Sequence, residues 1–417
     1  MQMVIVLPSD EDLQPYGGAQ LALFREVCGI PLLVRVMATA VRAGVHSALV
    51  IHRSPLPPEM ERTLCTHPAL SGLRDLQFRE MPHFLPASAT HWRAVAAFLE
   101  DEFFWLPWNW VSNKHSLAAL KHAEARPASW SSPARLTRAA VLFSEAALPS
   151  SPAPEGVKVT GELSTRSAEG WLVAHSGKPL DGMYSTFNRR LCRPAVRALS
   201  NTFISPNLVT LAGLLAAIAS AYCYAQGTYL AYVAGALLFF ISGLADEADG
   251  MLARVRFADS AFGTWFEGAV DNVTYLLLFA GITLGLYKER GPQELLIGEV
   301  LLVGCVLASG LVSWQRKRST HADRPAEYLG NLYQLMDRDR GNWISRIARQ
   351  INVFVKKAAV IHYVLIFTVL GLLPLLLRMA ALAANVTWIL TLYFSYRFFR
   401  RPSLVTGIAQ FTAVPRR

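Results

Sequence analysis

Apolar positions divide this chain into two unlike halves. In the first half the apolar runs are short. Residues 4–7 form one, residues 31–43 carry apolar side chains at helical spacing, and residues 48–51 form another. Strand, helix, strand is the pattern of an α/β unit. Residues 126–156 are rich in Pro, Ser and Ala and read as loop-heavy, residues 157–173 alternate and predict strand, and 177–182 reads as a turn and domain boundary. From residue 206 the runs lengthen. Six stretches, roughly 206–226, 229–248, 265–287, 293–315, 358–378 and 379–398, each come near the length that crosses a bilayer. The expected fold is multidomain. It has an N-terminal α/β domain over 1–175, a linker and interfacial helix over 176–204, a six-helix all-α transmembrane domain over 205–400, and a basic tail over 401–417.

Composition agrees with this division and charge adds a direction to it. Hydrophobic residues make up 53% of the chain, high for a soluble protein, and the net charge is +10. A basic balance suggests nucleic acid, but here the basic residues sit between apolar spans, which argues for lipid and against nucleic acid. They cluster at Arg189, Arg190, Arg193 and Arg197, at Arg316, Lys317 and Arg318, and over 338–357. Such placement fits cytoplasmic loops facing anionic lipid. The N-terminus lacks a basic region followed by a long apolar core, so it reads as a first buried strand and not as a signal peptide. The front domain is therefore expected in the cytoplasm. Alternation of the spans places the 249–264 turn, the basic loop and the C-terminus on the same side of the inner membrane.

Two further segments read as surface helices. Residues 186–199 are basic and partly amphipathic, with Pro194 as an interruption. Trp343, Ile344, Ile347, Ile351 and Phe354 form an apolar stripe beside Arg346, Arg349 and Lys356. The second stripe fits an interfacial helix or an ordinary helix docked in the cytoplasmic loop. The five cysteines are scattered and show no zinc-ligand spacing.

The candidate chemistry lies between the second and third spans. Asp246, Asp249, Gly250, Ala253 and Arg254 are followed by Gly263, Glu267 and Asp271. A carboxylate at the centre of a membrane helix costs roughly 2.5–3.5 kcal/mol, so acids gathered at one site need a compensating cation. Asp246 and Asp249 share a helix face by their i, i+3 spacing, and Glu267 and Asp271 share one by i, i+4. A hairpin turning at Gly263 can bring all four to one point. Hard oxygen ligands suit Mg²⁺ or Mn²⁺, and two ions can bridge a pyrophosphate. A structural reading, in which the acids pair with Arg254 and Arg256 to close the hairpin, stays open. Asn207 and Thr210 also read as possible caps of the first span, and Ser260 as a turn residue.

The run from Asp246 to Asp271 resembles the signature D-x2-D-G-x2-A-R-x8-G-x3-D-x3-D of the CDP-alcohol phosphotransferases, with every spacing intact. The stretch Ser205-Pro-Asn207-Leu208-Val209-Thr210 is similar to the P-N-x-x-T opening of that family's first span. The resemblance covers about 181–400. It implies attack by a hydroxyl acceptor on the phosphorus of a CDP-linked alcohol, often CDP-diacylglycerol, with release of CMP. It further implies that Asp246, Asp249, Glu267 and Asp271 hold two divalent cations and that Asp271 is the general base. Asn207, Leu208, Val209, Thr210, Gly250, Ala253, Arg254, Ser260 and Gly263 would frame the CDP part, and a homodimer is the assembly it suggests. One position departs: Glu267 stands where the family has Asp.

Arg25-Glu-Val-Cys-Gly29-Ile-Pro31-Leu-Leu-Val-Arg35, with the run after Gly44, resembles the nucleotidyltransferases of the cytidylyltransferase type. Fusions of such a domain to the membrane domain above are known. The Gly-rich phosphate loop expected after the first strand reads instead Pro8-Ser-Asp-Glu-Asp-Leu-Gln-Pro-Tyr-Gly17-Gly18, and Asn109 stands near the expected metal-binding Asp. The reading is a degenerate front site, with a bifunctional enzyme that makes its own CDP-alcohol as one alternative and an inactive membrane anchor as another.

Overall fold

The computed structural model describes residues 1–120, 126–127, 130–142, 150–151, 154–177, 182–319, 332, 344 and 357–399. The stripe expected over 343–354 and the 401–417 tail lie outside the described residues, apart from Ile344. Two compact units divide the chain. One takes Met1–Gly177, Arg193–Phe203 and Met251–Ala258; the other takes Lys178–Cys192, Ile204–Gly250 and Asp259–Arg417.

The first unit is built on a five-stranded sheet. Its strands are β1 (Gln2–Leu7), β2 (Ser47–His52), β3 (Asp75–Glu80), β4 (Glu102–Trp105) and β5 (Ala134–Thr137), in the order β3-β2-β1-β4-β5. All neighbours are parallel except β4 and β5. Helix α1 (Leu32–Arg42) joins β1 to β2, which pair from Gln2↔Ser47 to Leu7↔His52. Val4, Ile5, Leu49, Val50 and Ile51 are fully buried, as central parallel strands covered on both faces require. An aromatic cluster of Phe84, Trp92, Phe103, Trp105 and Trp130 fills one side. Its two inner indoles keep hydrogen-bond partners, Trp92 Nε1 donating to the Pro86 carbonyl at 2.7 Å and Trp105 Nε1 to the Trp130 carbonyl at 3.0 Å.

The strand expected over 157–173 is mostly a helix. A short strand, Gly156–Lys158, pairs antiparallel with Trp110–Ser112, and then α2 (Glu162–Ala174) begins. Thr165, Ala168, Glu169, Leu172 and Val173 are its buried residues. Their three-and-four spacing is a helical stripe, which a period-two reading passes over. Asn109 is buried and tied to the same connection: its Nδ2 donates to the Val159 carbonyl at 3.0 Å, and the Val159 N–H returns to the Asn109 carbonyl at 2.8 Å.

The exit from β1 carries no open glycine loop. Ser9 caps the short helix Asp10–Leu13 in a reciprocal capping box with Asp12. Asp12 also pairs with Arg53 at 2.8 Å. Hydrogen bonding from Ser9 holds its carboxyl below the usual range.

Helix α3 (Met183–Ser200) continues through Pro194, which the sequence marks as an interruption. Met183, Phe187 and Leu191 are exposed along one stripe of it, four residues apart. On the other side, Arg189 Nε pairs with Glu247 at 2.9 Å and Asn188 Nδ2 donates to the Ala358 carbonyl at 3.1 Å.

The second unit holds α4 (Pro206–Ala225), the part of α5 (Tyr229–Val255) up to Gly250, α6 (Ala261–Arg290), α7 (Pro292–Ser319), α8 (Lys357–Val369) and α9 (Leu373–Phe399). Among the described residues five helices are long and apolar enough to cross a membrane, and α8 is a shorter apolar helix. Two boundaries differ from expectation. The last two helices part at Leu370–Leu372, not at 378, because Gly371 adopts a left-handed conformation, φ 69°. The Leu372 N–H then reaches the Phe367 carbonyl at 2.8 Å and the Gly371 N–H the Thr368 carbonyl at 3.0 Å, a Schellman cap. The other difference is in α5, which continues past 248 to Val255, and with α6 beginning at Ala261 most of the expected 249–264 turn is helix.

The end of α5 is capped within the first unit. Phe257 stands at φ 55°, a left-handed position without glycine, while the Ala258 N–H bonds to the Ala253 carbonyl at 2.8 Å. Arg35 and Arg42 hold the Phe257 ring, with guanidinium carbons 5.1 and 4.6 Å from its centroid. Arg35 donates to the carbonyls of Val27 at 2.9 Å and Val255 at 2.8 Å, and burial pushes its guanidinium down to about 10. Arg35→Met is expected to destabilise the first unit by about 2 kcal/mol, since charged hydrogen bonds to two carbonyls are lost while the cost of burying the cation is recovered. Thermal unfolding of the solubilised chain reads this as a lower midpoint.

Candidate active site

Helices α4, α5, α6 and α8 together place the acids. Carboxylate oxygens of Asp246, Asp249 and Glu267 all lie within 4.8 Å of one another. The spacing that put each pair on one helix face has therefore joined the two helices at one point, and Glu267 belongs to the group despite its extra methylene.

Asp249 is the most buried of the three, with 3% exposure. Its Oδ2 accepts from the Thr210 hydroxyl at 2.5 Å. Its Oδ1 is buried and has no hydrogen-bond partner among the described residues. An ionised oxygen held this way costs several kcal/mol unless a cation reaches it. Three converging carboxylates, one with a buried unsatisfied oxygen, are a donor set that fits a hard divalent cation.

Asp271 is placed differently. It lies outside that group of three, and its Oδ1 accepts from Lys357 Nζ. The same Nζ lies 3.0 Å from Asp246 Oδ1. Lys357 opens α8, whereas by sequence it is the last residue of the basic stretch over 338–357. The available signal was its position as the last cation before an apolar run, at the interface where the acids need a counter-charge. Glu247, between Asp246 and Asp249, falls outside the sequence pattern. It is nearly buried and is neutralised by Arg189 from α3.

The remaining expected residues fall into two sets. Ser205, not Asn207 or Thr210, caps α4, its Oγ accepting from the Leu208 N–H at 3.3 Å. Thr210 serves Asp249 instead. Ser260 is the N-cap of α6, accepting from the Gly263 N–H at 2.9 Å. A Cβ on Gly263 would meet Ser260 Oγ at 3.0 Å and Asn207 Oδ1 at 3.3 Å, so Asn207, Ser260 and Gly263 form one small cluster. Leu208 is half-exposed and Val209 buried on α4. Gly250 and Ala253 lie on α5 beyond the aspartates. Arg254 Nε donates to the Ser176 carbonyl at 2.6 Å, within the first unit.

A family model described as CDP-alcohol phosphatidyltransferase matches residues 203–393, the stretch that holds Thr210, the four acids and Lys357. That stretch is a CDP-alcohol phosphatidyltransferase domain. Among similar curated proteins, the archaetidylinositol phosphate synthase of Methanothermobacter thermautotrophicus is 34% identical over 125 residues, 28% of this chain and 60% of that protein. A phosphatidylinositol phosphate synthase of Mycolicibacterium smegmatis is 28% identical over 130 residues, 31% of this chain and 56% of that protein. An uncharacterized protein of Aquifex aeolicus is 31% identical over 134 residues, 32% of this chain and 64% of that protein. The chain thus spans less than two thirds of the length of each of these relatives. The phosphatidyltransferase match begins at residue 203, so the sheet-bearing part lies outside it.

Proposed function

We propose that the protein is a multi-pass CDP-alcohol phosphotransferase of the inner membrane, with its site on the cytoplasmic side. A hydroxyl acceptor attacks the phosphorus of a CDP-linked alcohol such as CDP-diacylglycerol, a phosphodiester forms, and CMP leaves. The observation that carries this reading is the buried, half-satisfied carboxylate of Asp249 beside Asp246 and Glu267, within the family-matched stretch. Two divalent cations, Mg²⁺ or Mn²⁺, would be held by Asp246, Asp249, Glu267 and Asp271, and when bound would offset charge on the pyrophosphate oxygens. Thr210 fixes Asp249 by donating to Oδ2, leaving Oδ1 for the ligand. Asp271 takes the proton of the attacking hydroxyl on a carboxylate oxygen as the new P–O bond forms and the bond to CMP breaks. In the second unit the cytidine diphosphate would be framed by Asn207, Leu208, Val209 and Thr210 of α4, by Gly250, and by Ser260 and Gly263.

The names of two relatives support a phosphorylated inositol as acceptor, and the basic residues around 315–357 suit a phosphorylated substrate. The domain divisions at 175, 204 and 400, the membrane-surface role of α3 and the homodimer belong to the same proposal. The exposed stripe of Met183, Phe187 and Leu191 supports the second of these. For the front unit we favour a nucleotidyltransferase-like platform without cytidylyl transfer. Where a phosphate-binding loop would follow β1, a capped acidic turn presents Asp10, Glu11 and Asp12. CTP with a polyol phosphate should therefore yield no pyrophosphate.

The test is CMP release by the full-length protein in nanodiscs containing CDP-diacylglycerol, with Mn²⁺ or Mg²⁺ and a panel of polyol and polyol-phosphate acceptors. Metal-dependent CMP release and a mass-resolved phosphodiester are expected. Absence of CMP release from any CDP-alcohol with any acceptor would sink the assignment. Glu267→Asp is expected to slow CMP release about 10- to 100-fold, because a ligand withdrawn by roughly an ångström loses alignment. A faster Asp variant would instead mean that the natural site is detuned.

A further inference from the structure

Lys357 is the least expected member of the site. A lysine at the start of an apolar helix ordinarily extends its ammonium toward water. Here the side chain is only 12% exposed and Nζ is turned between Asp246 Oδ1, at 3.0 Å, and Asp271 Oδ1. The three carboxylates gathered within 4.8 Å are Asp246, Asp249 and Glu267, and Asp271 lies outside them. The acid cluster therefore has two poles. One is a three-carboxylate group with an unsatisfied buried oxygen, and the other is an Asp246–Asp271 pair already bridged by a fixed cation.

We infer that Lys357 is a built-in counter-ion at the Asp246–Asp271 pole, so that the two cation sites are unequal. The first divalent ion enters at Asp246, Asp249 and Glu267 without disturbing it. A second ion gains Asp271 only by displacing the ammonium, and so binds weakly until substrate brings further negative charge. Asp271 is held in place meanwhile, since its oxygen is bonded to an ammonium fixed at the start of α8. This inference rests on the metal-dependent reading above and adds an order of binding to it.

Mn²⁺ titration of the full-length protein in nanodiscs, followed by the electron paramagnetic resonance signal of free Mn²⁺, tests it without any turnover. The wild type is expected to bind one Mn²⁺ at least ten-fold more tightly than a second. Lys357→Met should tighten the second site at least ten-fold and leave the first unchanged. Lys357→Arg should keep the wild-type pattern. Asp271→Asn should keep the tight site and lose the weak one. Lys357→Gln serves in place of the Met variant if the latter does not fold, judged by its thermal midpoint. Equal second-site affinity in the wild type and in a folded Met or Gln variant overturns the role of Lys357 while leaving the metal reading standing. No Mn²⁺ bound by any variant overturns both.

Discussion

Asp249→Asn is expected to lower CMP release by about three orders of magnitude while leaving the fold as stable as before. A bound metal supplies several kcal/mol of charge stabilisation in such transfers, and each 1.4 kcal/mol is about ten-fold in rate. The amide keeps the shape of the carboxylate, and its oxygen can still accept from Thr210, which now bonds Oδ2 at 2.5 Å. What the substitution removes is the charge on Oδ1, the buried oxygen with no hydrogen-bond partner among the described residues. Without metal that charge is a cost to folding, so the thermal midpoint in a chelator should stay level or rise. Saturating Mn²⁺ should raise the wild-type midpoint, by linkage worth about 2.7 kcal/mol at a hundred times the dissociation constant, and should leave the variant's midpoint nearly unmoved. A variant that unfolds in the chelator would make Asp249 a structural residue. One that keeps its CMP release would remove it from the site.

Gly285→Leu is expected to abolish the folded second unit. A Cβ at Gly285 would stand 2.1 Å from the Tyr224 carbonyl oxygen of α4, and one at Gly281 would stand 2.5 Å from the Ala221 carbonyl oxygen. Both obstacles are backbone, which cannot rotate aside. The pair forms a small-xxx-small face on α6 that lets α4 lie against it, a common way for helices to associate in lipid. Overpacking of one to three kcal/mol is roughly the usual range for added side-chain atoms in a core, and a backbone obstacle lies above it. The same helices carry Thr210 on α4 and Glu267 and Asp271 on α6, so forcing them apart would also disperse the site. Size-exclusion profiles and thermal midpoints measure the loss. Gly310→Ala is the internal control: nothing lies within 4 Å of its added Cβ, so the profile should match the wild type. A monodisperse Gly285→Leu protein with an unchanged midpoint would show that the close approach is not required.

Much of the site was legible in the sequence because its acids come in local pairs. Helical spacing alone puts Asp246 beside Asp249 and Glu267 beside Asp271, and the apolar stretches on either side make so many acids conspicuous. The strand-helix-strand pattern of the front half was legible for a similar reason: buried runs of four to six residues and one helical stripe are local signals. The errors were also local ambiguities. Over 157–173 both periods fit loosely, and burial of Thr165, Ala168 and Leu172 decided for helix. In the long apolar stretch after 357, length could not locate the break that Gly371 makes with its backbone conformation.

By itself, then, the sequence determined the membrane-embedded character of the second half, the clustering of acids between two of its helices, and the chemistry those acids invite. Tertiary structure alone decided that Asp249 keeps one oxygen for a ligand, that Glu267 reaches the group, and that Lys357 joins Asp246 to Asp271. The bonds of Thr210 to Asp249 and of Lys357 to Asp271 link positions 39 and 86 residues apart, and Glu267 joins Asp246 and Asp249 from a different helix. No spacing rule along the chain encodes them, because they follow from which helices lie side by side.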